Sequence, residues 1–186
     1  MLSSCDLSTR PWEWALYQPL VGTSMLELGN KRKGDLVYKR FFEARGFRHV
    51  SVDLNGRDGA LPLDLRKPLG LGTFDMVTNL GTTEHVSEGA WGGQVACWRN
   101  VLEAMHVGSV LVSITPAPGS YKNHATWYPC PSFFKELAQE NGLDVERLYV
   151  APHGADPPNS LVYARLRRVA PEEFQMPAAI HMYKNR

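Results

Sequence analysis

Acidic, amide and imidazole side chains recur at the ends of the apolar runs in this sequence. Glu27 and Gly29 close the run SMLEL (24–28), Asp53 closes HVSVDL (49–54), and Asp64 stands in ALPLDL (60–65). Asn79 and Gly81 end TFDMVTNL (73–80), with Glu84 and His85 just beyond. A carboxylate offers two acceptor oxygens, which match the two vicinal hydroxyl donors of a ribose. Asp53 lies 24 residues after Gly29, about the separation at which an acidic residue after a second strand takes the ribose of a nucleoside. Asn55-Gly56 follows directly, so an aspartate leading an ordinary surface turn is the competing reading. His85 and His124 titrate nearest neutral pH, which suits them to take a proton from a nucleophile; a structural histidine is the alternative at each position.

The turn after Gly29 narrows the choice of ligand. A dinucleotide presses its pyrophosphate against a helix N-terminus, and the middle glycine of Gly-x-Gly-x-x-Gly lets the backbone approach it. Counted from Gly29, that middle position is Lys31, so the requirement fails. A ligand without a pyrophosphate tolerates the failure, and Glu27 beneath the turn suits a cationic amine better than a phosphate. Lys31, Arg32 and Lys33 read as solvated loop cations or as contacts to an anion. An NADP-dependent oxidoreductase is disfavoured, because its phosphate reader should follow the second strand, where the charge of Asp53 repels a phosphate.

Only a sheet that brings its strand ends to one edge can gather these side chains. Apolar and amphipathic runs alternate, which predicts one α/β domain spanning the 186 residues: a mostly parallel sheet of about seven strands, helices on both faces and an antiparallel C-terminal hairpin. Residues 1–22, with Trp12, Trp14 and Tyr17, are expected as a helical cap, 23–168 as the sheet core and 169–186 as an extension without clear period. Helices are expected over 35–45 (Val37, Phe41 and Ala44 on one face), 93–106 (Val95, Trp98, Leu102 and Met105) and 132–141, each followed by glycine. SVLVSIT (109–115) is apolar almost throughout, as a central strand must be. The short joint PHGADPPN forces 143–151 and 160–168 to be antiparallel neighbours. Residues 116–131 are too rich in proline and glycine to be regular, and a long loop carrying His124, Trp127 and Tyr128 is expected to be functional.

Twenty basic and nineteen acidic residues leave a charge of +1, so no global field draws the chain to a polyanion. The run Arg165–Arg168 reads as a solvated surface. Cys5, Cys97 and Cys130 are odd in number and form no Cys-x-x-Cys pair, which fits neither a disulfide framework nor a zinc module. A reducing cytoplasm, no membrane span and no metal are therefore expected.

MLELGNKRKG, VSVDLNG, LPLDL, FDMVTNLGTTEHV and VLEAMHVGSVLVSITP occur in the order and at the spacing that resemble the class I S-adenosylmethionine-dependent methyltransferases, over roughly residues 23–151. The resemblance implies a Rossmann-like methyltransferase fold, S-adenosylmethionine as cofactor and a small molecule, sugar or biosynthetic intermediate as methyl acceptor. It places Glu27 toward the methionine amine, Gly29 and Asn30 beside the methionyl portion, and Asp53 on the ribose. Leu54 would pack on the adenine, Asp64 would accept its amine, and the backbone of Leu65 would meet the ring, with Asn79, Leu80 and Gly81 beside the sulfonium. His124 is the preferred base or substrate anchor, His85 shapes the pocket floor, and Trp127 and Tyr128 either wall the substrate or pack over the sheet. No Asn/Asp-Pro-Pro-aromatic turn and no Pro-Cys nucleophile follow the fourth strand, so DNA is not the expected acceptor; RNA and peptide stay open. A non-catalytic binding or scaffolding module on the same fold is the alternative, favoured by the glycine-poor turn.

Overall fold

In the computed structural model, strand β1 (Ser24–Leu28) lies between two parallel neighbours, β4 (Arg48–Val52) and β5 (Phe74–Leu80). Met25 and Glu27 face one layer, Leu26 and Leu28 the other, and all four are buried, as a strand covered on both faces requires. Residues 16–33, 36–86, 91–121, 123–153, 159–178 and 182–184 are described; residues 1–15, most of the expected cap with Trp12 and Trp14, lie outside them. β6 (Met105–Pro116) continues the parallel set, and β9 (Asn159–Arg168) and β8 (Leu143–His153) close the sheet as an antiparallel hairpin, giving the order β4-β1-β5-β6-β9-β8.

Helix α1 (Tyr38–Glu43) packs Tyr38, Phe41 and Phe42 with Leu16, Tyr17 and Phe47 on one face of the sheet. Helices α2 (Trp91–Glu103) and α3 (Pro131–Glu140) bury Cys97, Trp98, Val101, Phe133 and Leu137 on the other. Burying each such side chain stabilises the fold by about 1.5–3 kcal/mol before entropy is counted. Among the described residues, no helix is long and apolar enough to cross a membrane.

Several boundaries differ from expectation for local reasons. Residues 60–65 contribute one parallel bridge, Val52 to Leu61, rather than a strand, so the described sheet has six strands; Pro62 has no N–H to donate to a ladder. Helix α1 is shorter because β2 (Arg32–Lys33) and β3 (Leu36–Val37) pair as a small ribbon before it, and Ala44 caps it, exposed. The tail returns: β10 (Met182–Lys184) pairs antiparallel with β7 (Trp127–Pro129).

The arginines of β9 are tied into the fold, Arg165 buried and Arg167 and Arg168 half-buried, rather than forming a solvated patch. Arg165 is 1% exposed; it pairs with Glu146 and donates to the carbonyls of Leu16 and Pro19, fastening the N-terminal segment. Arg168 donates to the carbonyl of Leu102 at the end of α2, where unpaired carbonyls need a donor, and to that of Met105 at the start of β6.

Candidate active site

Strand register sets the site. Leu28 pairs with Val52 on one side and Asn79 on the other, so Gly29 and Asp53 leave the sheet at one level, outside its carboxyl edge and beside Leu80, the last residue of β5. Gly29 has φ +85°, its N–H donates to Val52 O (2.7 Å), and an added Cβ would lie 2.3 Å from Thr82 Oγ1. Only glycine permits this crossing, which lets the Thr82 hydroxyl donate to Leu28 O at 2.8 Å.

One cavity of about 330 Å³ opens there, lined among others by Asp53, Leu54, Asp64, Leu65, Arg66 and Gly81. Asp53 Oδ1 accepts the N–H of Asn55 in a tight turn (3.0 Å), which fixes the direction of the carboxylate. Leu54 is 69% exposed at the cavity edge, an apolar surface that a flat ring would cover. Asp64 accepts from the Arg66 guanidinium through both oxygens (2.8–3.2 Å), and these bonds hold its carboxyl down to about 2. Arg66, which sequence reasoning missed, is thus a second polar group beside the one expected to read the adenine amine.

Glu27, Gly29, Asn30 and Asn79 do not line this cavity. Glu27 Oε1 accepts the Lys31 N–H (2.7 Å), and Oε2 lies 3.4 Å from His49 Nε2. Burial pushes Glu27 up to about 8; burial, then the charge of Lys39, pushes His49 down to about 3. Glu27 therefore shapes the turn from beneath. Asn30 donates to Arg57 O (2.6 Å) and ties that turn to the next. Asn79, fully buried, donates to Thr83 Oγ1 (2.8 Å) and Ser113 Oγ (3.0 Å) and accepts from the N–H groups of Thr82 and Thr83, holding the loop that carries Gly81, Glu84 and His85.

A second cavity, about 370 Å³, shares Gly81 and His85 with the first; Leu80, Lys31, Glu84, His124 and His153 also line it. Glu84 is fully buried, burial pushes its carboxyl up to about 7, and neither oxygen has a hydrogen-bond partner among the described residues. The rings of His85 and His124 lie 4.8 Å apart between centroids; burial, then His124, lowers His85 below its ordinary value. The loop is pinned where it must be: Tyr121 N–H donates to Asn159 Oδ1 (2.8 Å), Thr126 N–H to Glu84 O (3.3 Å) and Tyr128 OH to Tyr121 O (2.8 Å).

Of the expected substrate side chains, His124 reaches this cavity. Trp127 and Tyr128 do not line it: they belong to β7, are buried, and Trp127 packs edge-on against Trp91 (5.4 Å). His153 was not singled out by sequence, yet a signal existed. β8 and β6 are both antiparallel to β9, so the C-terminal end of 143–153 points to the same rim as the other strand ends.

No family model matches the sequence, and no curated protein matches it. Solved structures do. The chain is similar to the 1,6-didemethyltoxoflavin-N1-methyltransferase of Burkholderia thailandensis, crystallised with 1,6-didemethyltoxoflavin and S-adenosylhomocysteine (TM-score 0.67, 16% identity, covering 89% of this chain and 80% of that one). It is similar to the N-methyltransferase NodS of Bradyrhizobium japonicum WM9 (TM-score 0.65, 12% identity, 88% and 96% covered). A TehB-like methyltransferase of Corynebacterium glutamicum gives TM-score 0.55 at 16% identity, with 80% and 81% covered. At such identities the likeness lies in the fold, and it agrees with the parallel strands and the antiparallel hairpin described above. The chain has the Rossmann-like fold of the class I S-adenosylmethionine-dependent methyltransferases.

Proposed function

We propose that this protein is an S-adenosylmethionine-dependent methyltransferase acting on a small-molecule acceptor. The observation that carries this reading is one cavity at the carboxyl edge in which Asp53, Leu54, Asp64, Leu65 and Gly81 meet, with Gly81 and His85 shared by a second cavity. The donor set fits an adenosyl group: a carboxylate for vicinal hydroxyls, exposed Leu54 for a ring face, and the Asp64–Arg66 pair for the ring edge. The absence of a middle glycine is no obstacle to a ligand whose tail is an amino acid rather than a pyrophosphate. Names of similar structures support the same reading, since N- and O-methyltransferases with bound S-adenosylhomocysteine share the fold.

When bound, the cofactor supplies a methyl group on a positively charged sulfur, open to in-line attack. The protein's part is alignment in a restricted space, which can remove several kcal/mol of barrier. Gly81, with φ +75° and no side chain, lines both cavities, so an adenosyl sulfur placed there stands between them. Lys31 and Arg32 on the second cavity favour an acceptor that carries an anionic group. His124 and His85 are placed to hold or take the acceptor's proton.

Calorimetric titration with S-adenosylmethionine and S-adenosylhomocysteine tests the reading. Both should bind the wild type, and Asp53→Ala should lose at least about tenfold in affinity, the value of one or two charge-assisted hydrogen bonds. Absence of binding by either ligand, or equal binding by the variant, would overturn it.

A further inference from the structure

We propose that Glu84, His85 and His124 form a mononuclear site for a divalent transition-metal ion, with open coordination positions facing the second cavity. One ligand atom from each lies within 4.8 Å of the others, and Glu84 Oε1 stands 3.9 Å from His85 Nε2. Two imidazoles and one carboxylate are a donor set that zinc, cobalt and ferrous ions accept while keeping one or more positions for water or substrate.

An independent observation points to a ligand. Glu84 is fully buried, yet neither oxygen has a hydrogen-bond partner on another described residue; its own N–H and the charge of Lys31 offset only part of the cost of burial. The carboxylate is aimed at the cavity wall beside Gly81, where a Cβ would come 3.2 Å from Oε1. Glu84 is fixed, whereas His85 and His124 are exposed. Donor atoms around a four-coordinate ion with bonds near 2.1 Å sit about 3.4 Å apart, so rotation of the two rings by about 1–1.5 Å completes the shell. The backbone already enforces the approach, because Thr126, two residues past His124, donates to the carbonyl of Glu84 itself.

Lys31 and Arg32 line the same cavity and oppose the charge of the ion, so an anionic acceptor is needed to balance the three. The ion and these two cations together select a small acceptor that offers an anionic or ionisable oxygen. This substrate class rests on the methyl-transfer reading; the metal site does not. With the ion bound, His85 and His124 act as ligands in place of a base, and an acceptor hydroxyl on the ion releases its proton to water. Its oxygen then attacks the methyl carbon, and the carbon–sulfur bond breaks with its electron pair going to sulfur.

Titration of chelator-washed full-length protein with Co²⁺, read by visible ligand-field absorption and without any sulfonium cofactor, tests the site. One equivalent should bind; His124→Ala and Glu84→Gln should each weaken binding by at least about tenfold, while His106→Ala, away from the cavity, should not. Acetohydroxamate, a bidentate oxygen ligand, should shift the bands through the open positions. Absence of saturable binding, or binding that survives in both His124→Ala and Glu84→Gln, would overturn the site. Unchanged bands with acetohydroxamate would overturn its open coordination. Binding of Co²⁺ by a protein that ignores S-adenosylmethionine would keep the metal site and remove the acceptor's role.

Discussion

Replacing Glu27 by glutamine should abolish a pH dependence that the buried carboxyl builds into the fold. The amide keeps an acceptor for the Lys31 N–H and nearly the same volume, but it cannot ionise. In the native protein Glu27 is raised from 4.5 to about 8, chiefly by burial. A raised acid contributes stability that is fully present below 4.5 and is lost as pH climbs to about 8. His49 acts in the opposite direction: held down to about 3, it contributes stability present above 6.5 and lost as pH falls toward 3. Between pH 6.5 and 8 only the carboxyl of this pair is changing. At about 1.36 kcal/mol per pKa unit, the wild type loses about 2 kcal/mol across that window, or about 4–8 °C in melting temperature for a chain of this size. Thermal unfolding by circular dichroism at both pH values, on wild type and Glu27→Gln, measures the difference. The variant should fall by about 2 kcal/mol less than the wild type, keeping only the smaller loss below pH 7 that buried Glu84, raised to about 7, contributes. Parallel slopes in the two proteins would refute the argument and would mean that water reaches Glu27.

Gly29→Ala and Gly46→Ala form a matched pair. Both glycines have φ near +85°, but a Cβ at Gly46 meets nothing within 4 Å, whereas one at Gly29 strikes Thr82. Urea unfolding should show about 1 kcal/mol lost at Gly46 and clearly more at Gly29; equal losses would remove the close approach from the account. Asn79→Ala strands the Thr83 amide and the Ser113 hydroxyl and should cost about 1–3 kcal/mol by the same assay. Arg165→Ala leaves the carbonyls of Leu16 and Pro19 without their donor, while Glu146 keeps Arg167, and should cost about 1–3 kcal/mol, with limited proteolysis cutting near residues 16–20 far faster than in the wild type.

Much of this architecture is legible because strand ends are marked in the sequence. Asp53 and Gly81 each follow an apolar run, and parallel register then leaves them no place but the common rim; Asp64 reaches the same cavity from a loop held by one bridge at Leu61. Gly29 is legible for the same reason, and the structure adds why it must be glycine. What stayed hidden depends on partners far along the chain. Trp127 and Tyr128 look like pocket residues until β10 pairs with their strand and the sheet layer takes them in. Arg165 looks solvated until Glu146 and two N-terminal carbonyls surround it. Glu27 could be placed at a strand end, but whether it faced the ligand or the core was decided by His49 on the neighbouring strand. His85 and His124 were visible singly; that they share a wall with Glu84 depends on the backbone bond from Thr126.

The central claim is that one rim of the sheet holds an adenosyl group. Diffraction from crystals grown with saturating S-adenosylhomocysteine tests it most directly. The ribose hydroxyls should lie on the Asp53 carboxylate, the adenine between Leu54 and the Asp64–Arg66 pair, and the sulfur beside Gly81. Ligand density elsewhere on the protein, with Asp53 and Leu54 uncovered, would contradict the account.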